Sequence, residues 1–277
     1  MQNNLKREAG RACGQLRPLK ATFDVFGYAA SSVLFEVGAT KVLCSVSLQQ
    51  GVPPFLRGTN SGWLAAEYAM LPTATEVRTQ RESATMKKSG RSVEISRLIS
   101  RVLRCVVDLQ KLGEKTIVID CDVLQADGGT RTACISAANI ALERAVAVWL
   151  ANKQISQNIL VDSVAAISAG VFQGHAILDP DFYEDSAIDC DFNFVFTRSG
   201  NIIEMQGTAE KSPISWQQFD HLKTLALNGT QQIFSFFDTL AKPQIGSESL
   251  ANVDLTNCGS GKKNAPLFSL ANRANVT

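Results

Sequence analysis

The stretch TIVIDCDVLQADGGTRTACISAANIALERA, residues 116–145, changes its rhythm half-way along. Up to Gln125, the apolar Ile117, Ile119, Cys121 and Val123 alternate with polar positions that include Asp120 and Asp122, the period-two pattern of a half-buried strand. From Ala133 the pattern is helical. Ala133, Ala137, Ala141 and Ala145 recur every fourth residue on one face, and side chains this small let a helix approach its neighbour closely. The junction holds Asp127, Gly128, Gly129, Thr130 and Arg131. A glycine pair lets backbone come near a ligand, and the helix start behind it offers unpaired N–H groups and the positive end of a dipole. Thr130 adds a hydroxyl and Arg131 a bidentate fork, so the junction suits an anion, phosphate in particular. By itself a Gly-Gly pair before a helix is more often a turn and cap. The segment is neither a P-loop nor a dinucleotide fingerprint, since no G-K-[ST] or G-x-G-x-x-G follows.

Outward from this junction, SSVLFEVGATKVLCSVSL (31–48) reads as a hairpin with Val33, Phe35 and Val37 on one face and a turn at Gly38. Residues 62–71 form a further strand ending at Pro72, and residues 73–90 are polar and basic, with the look of an exposed loop. Ile95, Leu98, Ile99, Val102, Leu103 and Val106 then mark the buried stripe of a helix whose other face carries Arg97, Arg101 and Arg104. Two more strand pairs follow, turning at Gln173-Gly174 and Ser199-Gly200. A capping box from Ser215 to Gln218 opens a last helix, which the sequence predicts to be interrupted near Asn228-Gly229. The order strands, helix, strand, helix, strands, helix is an α+β pattern of two similar halves, with sheets covered by helices on one side. The sequence predicts a catalytic region over residues 1–242 and a polar, mostly disordered tail over 243–277.

Composition adds bounds. A content of 45% hydrophobic and 19% charged residues in 277 is that of a globular protein with a sizeable core. No uninterrupted apolar run reaches membrane-spanning length, no membrane role is expected, and the cytoplasm is the expected compartment. The seven cysteines lack C-x-x-C spacing and are read as reduced thiols. Lys and Arg exceed Asp and Glu by 8 over residues 1–115, whereas the acids exceed them by 7 over 116–277. Such asymmetry suits a polyanionic partner on one part of the surface, although charges on solvated faces give the same totals.

Two further groups carry possible chemistry. DPDFYEDSAIDCDFNF (179–194) gathers Asp179, Asp181, Glu184, Asp185, Asp189 and Asp191. A solvated acidic loop is the simple reading, yet the run enters a Phe-rich strand. Paired carboxylates there suit Mg²⁺ or a shared proton equally well. The basic residues Arg78, Arg81, Lys87, Lys88, Arg91, Arg97, Arg101 and Arg104 are an ordinary solvated face, or a track for a nucleic-acid backbone. His175 and His221 neighbour no candidate nucleophile, so Ser-His-Asp and Cys-His chemistry is disfavoured.

Read together, GRACGQLRPL, TKVLCSVSL, GVPPFLRG, GWLAAEYAMLP, GRSVEISRLISRVLR, DCDVLQADGGTRTA, YEDSAIDCDFN and IIEMQGTAE, in this order over roughly residues 5–240, resemble the ribonuclease PH family of bacterial phosphate-dependent 3′ exoribonucleases, which trim tRNA precursors. The resemblance implies a ribonuclease PH-type fold, like that of the second domain of ribosomal protein S5. It also implies phosphate held by Arg91, Gly129, Thr130 and Arg131, catalytic and Mg²⁺-binding carboxylates at Asp185 and Asp191, and RNA contacts from Arg78 and Arg81. The expected partners are tRNA precursors and other RNA 3′ ends, inorganic phosphate, and five further copies of the chain in a hexamer of three dimers. Where the family usually has an arginine after the Leu-Pro pair, Thr73 follows Pro72. A catalytically silent RNA-binding or scaffold subunit of an RNA-degrading ring is the alternative, and a dinucleotide-using enzyme a remoter one.

Overall fold

A computed structural model describes residues 7, 10–84, 88–211 and 213–240. Lys87 and the tail 243–277 lie outside the described residues. The elements run β1 (Leu19–Phe23), β2 (Ser31–Val37), β3 (Thr40–Gln50), β4 (Trp63–Met70), α1 (Gly90–Arg104), α2 (Leu109–Leu112), β5 (Lys115–Gln125), α3 (Thr130–Ala151), β6 (Val164–Phe172), β7 (His175–Leu178), α4 (Phe182–Ala187), β8 (Cys190–Thr197), β9 (Ile202–Ala209) and α5 (Trp216–Leu240). They form a five-stranded sheet in the order β1-β2-β3-β5-β4 and a four-stranded sheet in the order β7-β6-β8-β9.

The first sheet follows from its alternation. In β2 and β3, Val33, Phe35, Val42, Cys44 and Val46 are buried and, from Leu34 onward, alternate with less buried positions, and Gly38 turns the hairpin at φ 57°. Strand β5 pairs antiparallel with β3 and parallel with β4. A parallel pair needs a crossover, and α1 supplies it: Ser89 caps its start by accepting from the Ser92 N–H at 3.0 Å. Ile95, Leu98, Ile99, Val102 and Leu103 are buried along it.

Helix α3 is packed against β2 and β3 on one side and β6 on the other, so it lies between the two sheets. Ala133, Ala137, Ala141 and Ala145 are all buried there, as the four-residue spacing requires. By length and composition this helix is apolar enough to cross a membrane, but most of it is buried inside the protein, as a core helix is.

One expectation is overturned, and one open alternative is decided. Helix α5 is continuous from Trp216 to Leu240 and does not break at Asn228-Gly229. A Cβ on Gly229 would stand 2.7 Å from Leu178 Cδ2, so the glycine provides close contact with β7 and not a stop signal. The acidic run is not a solvated loop either: Asp179, Asp181 and Glu184 are buried. Asp181 caps the short helix α4 in a reciprocal box with Glu184.

Candidate functional site

Three segments distant in sequence converge beside the start of α3. The first is the glycine loop. Gly128 and Gly129 adopt φ 73° and 64°, a region that other residues enter only with strain. At Gly128 a Cβ would also meet the Pro180 carbonyl at 2.6 Å, so the loop rests against the backbone leading into α4. Gly128 therefore shapes the turn, and Gly129 is the residue from which α3 departs.

The second segment is the end of β7 with α4. It is tied to the loop by arginines from the start of the chain. Arg17 donates from Nη2 to Asp179 Oδ1 at 2.6 Å, from Nε to Asp179 Oδ2 at 3.0 Å, and from Nη1 to the Asp127 carbonyl. Arg7 reaches Glu184 with a fork of 2.7 and 2.8 Å, and Arg11 bonds Asp181 and Glu184 at 3.1 Å each. Buried charges persist only when so paired. Three of the six carboxylates are thus structural, and Asp189 pairs with Lys211 at 3.3 Å.

Asp185 and Asp191 remain. Asp185 is the side chain common to two cavities. One, of about 670 Å³, is lined by Arg91, Gly129, Thr130, Thr73, Phe182 and Tyr183, and the other, of about 380 Å³, by Asp191, Glu210 and Lys211. The Asp185 carboxyl is raised above its ordinary range, first by loss of water around it, while Arg91, Arg131 and Arg17 pull it back. Asp191, on β8, is pushed up to about 6, first by burial and then by the charge of Asp185. Its Oδ2 accepts from Asn193 Nδ2 at 3.1 Å, and Asn193 Oδ1 in turn accepts from Ser168 Oγ at 2.8 Å. Its Oδ1 is buried without a hydrogen-bond partner. A buried unpartnered acceptor is costly and asks for a proton or a cation.

The third segment is the N-terminal end of α1 with the tip of α3. Thr130 Oγ1 lies 3.1 Å from the Tyr68 hydroxyl and 3.5 Å from Arg91 Nη2. Arg131 Nη1 donates to Gln206 Oε1 at 2.6 Å and to Glu94 Oε1 at 3.3 Å, while Gln206 Nε2 donates to the same Glu94 oxygen at 3.2 Å. This fixes the guanidinium between α1 and β9, where its charge acts on both Asp185 and Asp191.

Not every basic residue joins this cluster. Arg81 lines a separate cavity of about 420 Å³ with Asp120, Asp122 and Lys88, and Arg78 is exposed on the loop after β4. Arg101 is engaged by Glu204 at 2.6 Å, and Arg104 stacks 4.3 Å over the Trp63 ring, so neither extends a free basic track. Tyr68, Asn193, Gln206 and the arginines 7, 11 and 17 hold the site residues in place without any local signal in the sequence. Except for Asn193, which bonds Asp191 two positions away, the site contacts of these residues reach partners tens to well over a hundred residues away. Among the described residues no group of three or more His, Cys, Asp or Glu side chains is arranged to hold a metal ion.

Residues 15–147 match the model of domain 1 of the 3′ exoribonuclease family, and residues 162–229 match that of domain 2. Among solved structures, the chain is similar to rice (Oryza sativa) Rrp46, with 21% identity, 84% of this chain and 99% of that chain covered, and a TM-score of 0.69. It is also similar to the Archaeoglobus fulgidus exosome with RNA bound to the active site (21% identity, 84% and 92% covered, TM-score 0.71) and to an archaeal exosome core (22%, 84% and 91%, 0.66). At such identities the likeness to those structures is one of fold, whereas the two family models together span well over half of the chain. With both domains present in order, the chain belongs to the ribonuclease PH group of the 3′ exoribonuclease family.

Proposed function

We propose that the protein is a phosphate-dependent 3′→5′ exoribonuclease. The observation that carries this reading is Asp185, which separates a cleft bearing Arg91, Gly129 and Thr130 from a cavity bearing Asp191. Arg91 and the start of α3 thus stand on one side of a carboxylate, and Asp191, with Glu210 and Lys211, stands on the other. Phosphoryl transfer needs positioning and charge stabilisation more than a protein nucleophile, and this arrangement provides both.

Inorganic phosphate, bound by Arg91, Arg131, Thr130 and the start of α3, attacks the last phosphodiester of the RNA. The new P–O bond forms as the bond to the 3′ oxygen of the shortened chain breaks, releasing a nucleoside diphosphate. Arg91 and Arg131 stabilise charge gathering on the phosphoryl oxygens. The 3′ oxygen leaves beside Asp185 and Asp191.

Two carboxylates, one with an unpartnered buried oxygen, fit Mg²⁺, which takes one or two acidic ligands and completes its shell with water and substrate oxygens. When bound there, the ion would offset the charge of the leaving oxygen. The favoured RNA class is tRNA precursors, the favoured assembly a hexamer of three dimers, and Arg78 and Arg81 the residues that meet RNA outside the cleft, all by family likeness. The two exosome structures to which the chain is similar favour RNA and an oligomer as its partners.

The deciding experiment incubates the protein with a 3′-extended tRNA and Mg²⁺, with and without inorganic phosphate. Diphosphates released only with phosphate support phosphorolysis. Monophosphates mean hydrolysis, and no release at all favours a scaffold subunit. Within the phosphorolytic reading, Arg131→Ala is expected to raise the KM for phosphate on the order of 10- to 100-fold, because a charge-assisted fork is lost. RNA affinity, measured by anisotropy without phosphate, should change little; an equal loss in both would remove Arg131 from the phosphate site.

A further inference from the structure

We infer that Phe182 and Tyr183 form a stacking platform for the base of the RNA's 3′-terminal nucleotide. Both aromatic side chains are exposed, Phe182 at 45% and Tyr183 at 65%, on a short helix anchored by the buried, ion-paired Glu184 and its capping partner Asp181. Both line the same cleft as Arg91, Thr130 and Asp185. Phe182 and Asp185 are three residues apart on α4 and so share a face, and the two rings meet edge to face at 5.7 Å.

The platform is fixed at both ends. The Phe182 backbone N–H donates to Asp127 Oδ1 at 3.2 Å, tying it to the phosphate loop, and the Tyr183 hydroxyl donates to Glu76 Oε1 at 3.2 Å, on the segment after β4. Beneath them, Glu184 is held by Arg7, so the rings are not free to fold into the core. A base is joined to its own phosphate through a single sugar. A base subsite must therefore adjoin the carboxylate that faces the scissile bond, and these rings do. Stacking on an aromatic face accepts every base, which suits an enzyme that removes successive nucleotides of any sequence.

The inference rests on the phosphorolytic reading of the cleft. Its test uses two RNAs of one sequence, one lacking only the base of its last nucleotide, and measures both Kd and kcat/KM for release of that nucleotide at saturating phosphate. Wild type should favour the complete RNA on the order of 10-fold or more. The double variant Phe182→Ala, Tyr183→Ala should lose this preference with the KM for phosphate unchanged, and Phe182→Tyr should keep it. Preference retained by the double variant overturns the platform. So does a changed oligomeric mass with preference intact, which would make the pair a contact between copies of the chain. Were wild type to release no nucleotide from either RNA, phosphorolysis would fail as a reading, while the ratio of the two Kd values would still decide the platform.

Discussion

Asp191→Asn is expected to cut phosphorolysis by at least ~10³-fold while leaving the protein folded and more stable at neutral pH. The two effects have one origin. Asp191 is held at about 6 by burial and by Asp185, against an ordinary 3.8, so the folded protein binds that proton more tightly than the unfolded chain. The stability it contributes is fully present below pH 3.8 and is lost as the pH rises through about 6. At neutral pH the ionised group costs about 3 kcal/mol in the metal-free protein. Asparagine removes that cost, keeps the shape, and still accepts from Asn193. Thermal melts in a chelator at pH 5 and pH 7.5 check this: the gap between wild type and variant should open at the higher pH. Added Mg²⁺ should raise the wild-type midpoint and leave that of the variant unmoved. A fully active Asp191→Asn would place the chemistry elsewhere.

Arg17→Ala is the second large effect, and it concerns stability first. The side chain neutralises Asp179 and bonds the Asp127 carbonyl, and both members of the ion pair are nearly inaccessible to water. Removing one partner of a buried pair strands the other, at a cost on the order of 3–5 kcal/mol. Urea titration should show that loss. Because Asp127 precedes the Gly128-Gly129 turn, phosphate affinity should fall as well, even at temperatures where the variant is folded. The double variant Arg17→Met, Asp179→Asn should recover much of the stability, since no charge of the pair is then left buried and asparagine tolerates the left-handed backbone at φ 52° and keeps an oxygen to accept from the backbone N–H of position 17. A loss below ~1 kcal/mol in the single variant would show that the pair is open to water.

The parts of the fold legible in sequence are those whose cause is local. The change from alternation in β5 to four-residue spacing in α3 is a property of adjacent residues, as is the apolar stripe of α1. Gly229 was misleading because a helix break and a tight helix–strand contact ask for the same residue, and only Leu178, fifty-one positions away, distinguishes them. The acidic run was ambiguous for a similar reason. Its six carboxylates look alike until Arg7, Arg11 and Arg17 claim three and Lys211 a fourth. Arg131 stood out by its place after two glycines, but the tether through Gln206 and Glu94 joins residues from different halves of the chain. No window of sequence contains that contact.

The buried arginines also set an order of events during synthesis. Arg7, Arg11 and Arg17 emerge from the ribosome well before their carboxylate partners, which lie 177, 170 and 162 residues further on. At about 5–20 residues per second the nascent chain carries three unmatched cations for roughly 10–30 seconds. The first sheet has all its strands by Gln125 and can assemble during that interval, except where its flank waits for Asp179. Closure of the glycine loop is therefore one of the last steps of biogenesis. A chain stalled before Glu184 would hold a nearly complete first half and no anion pocket.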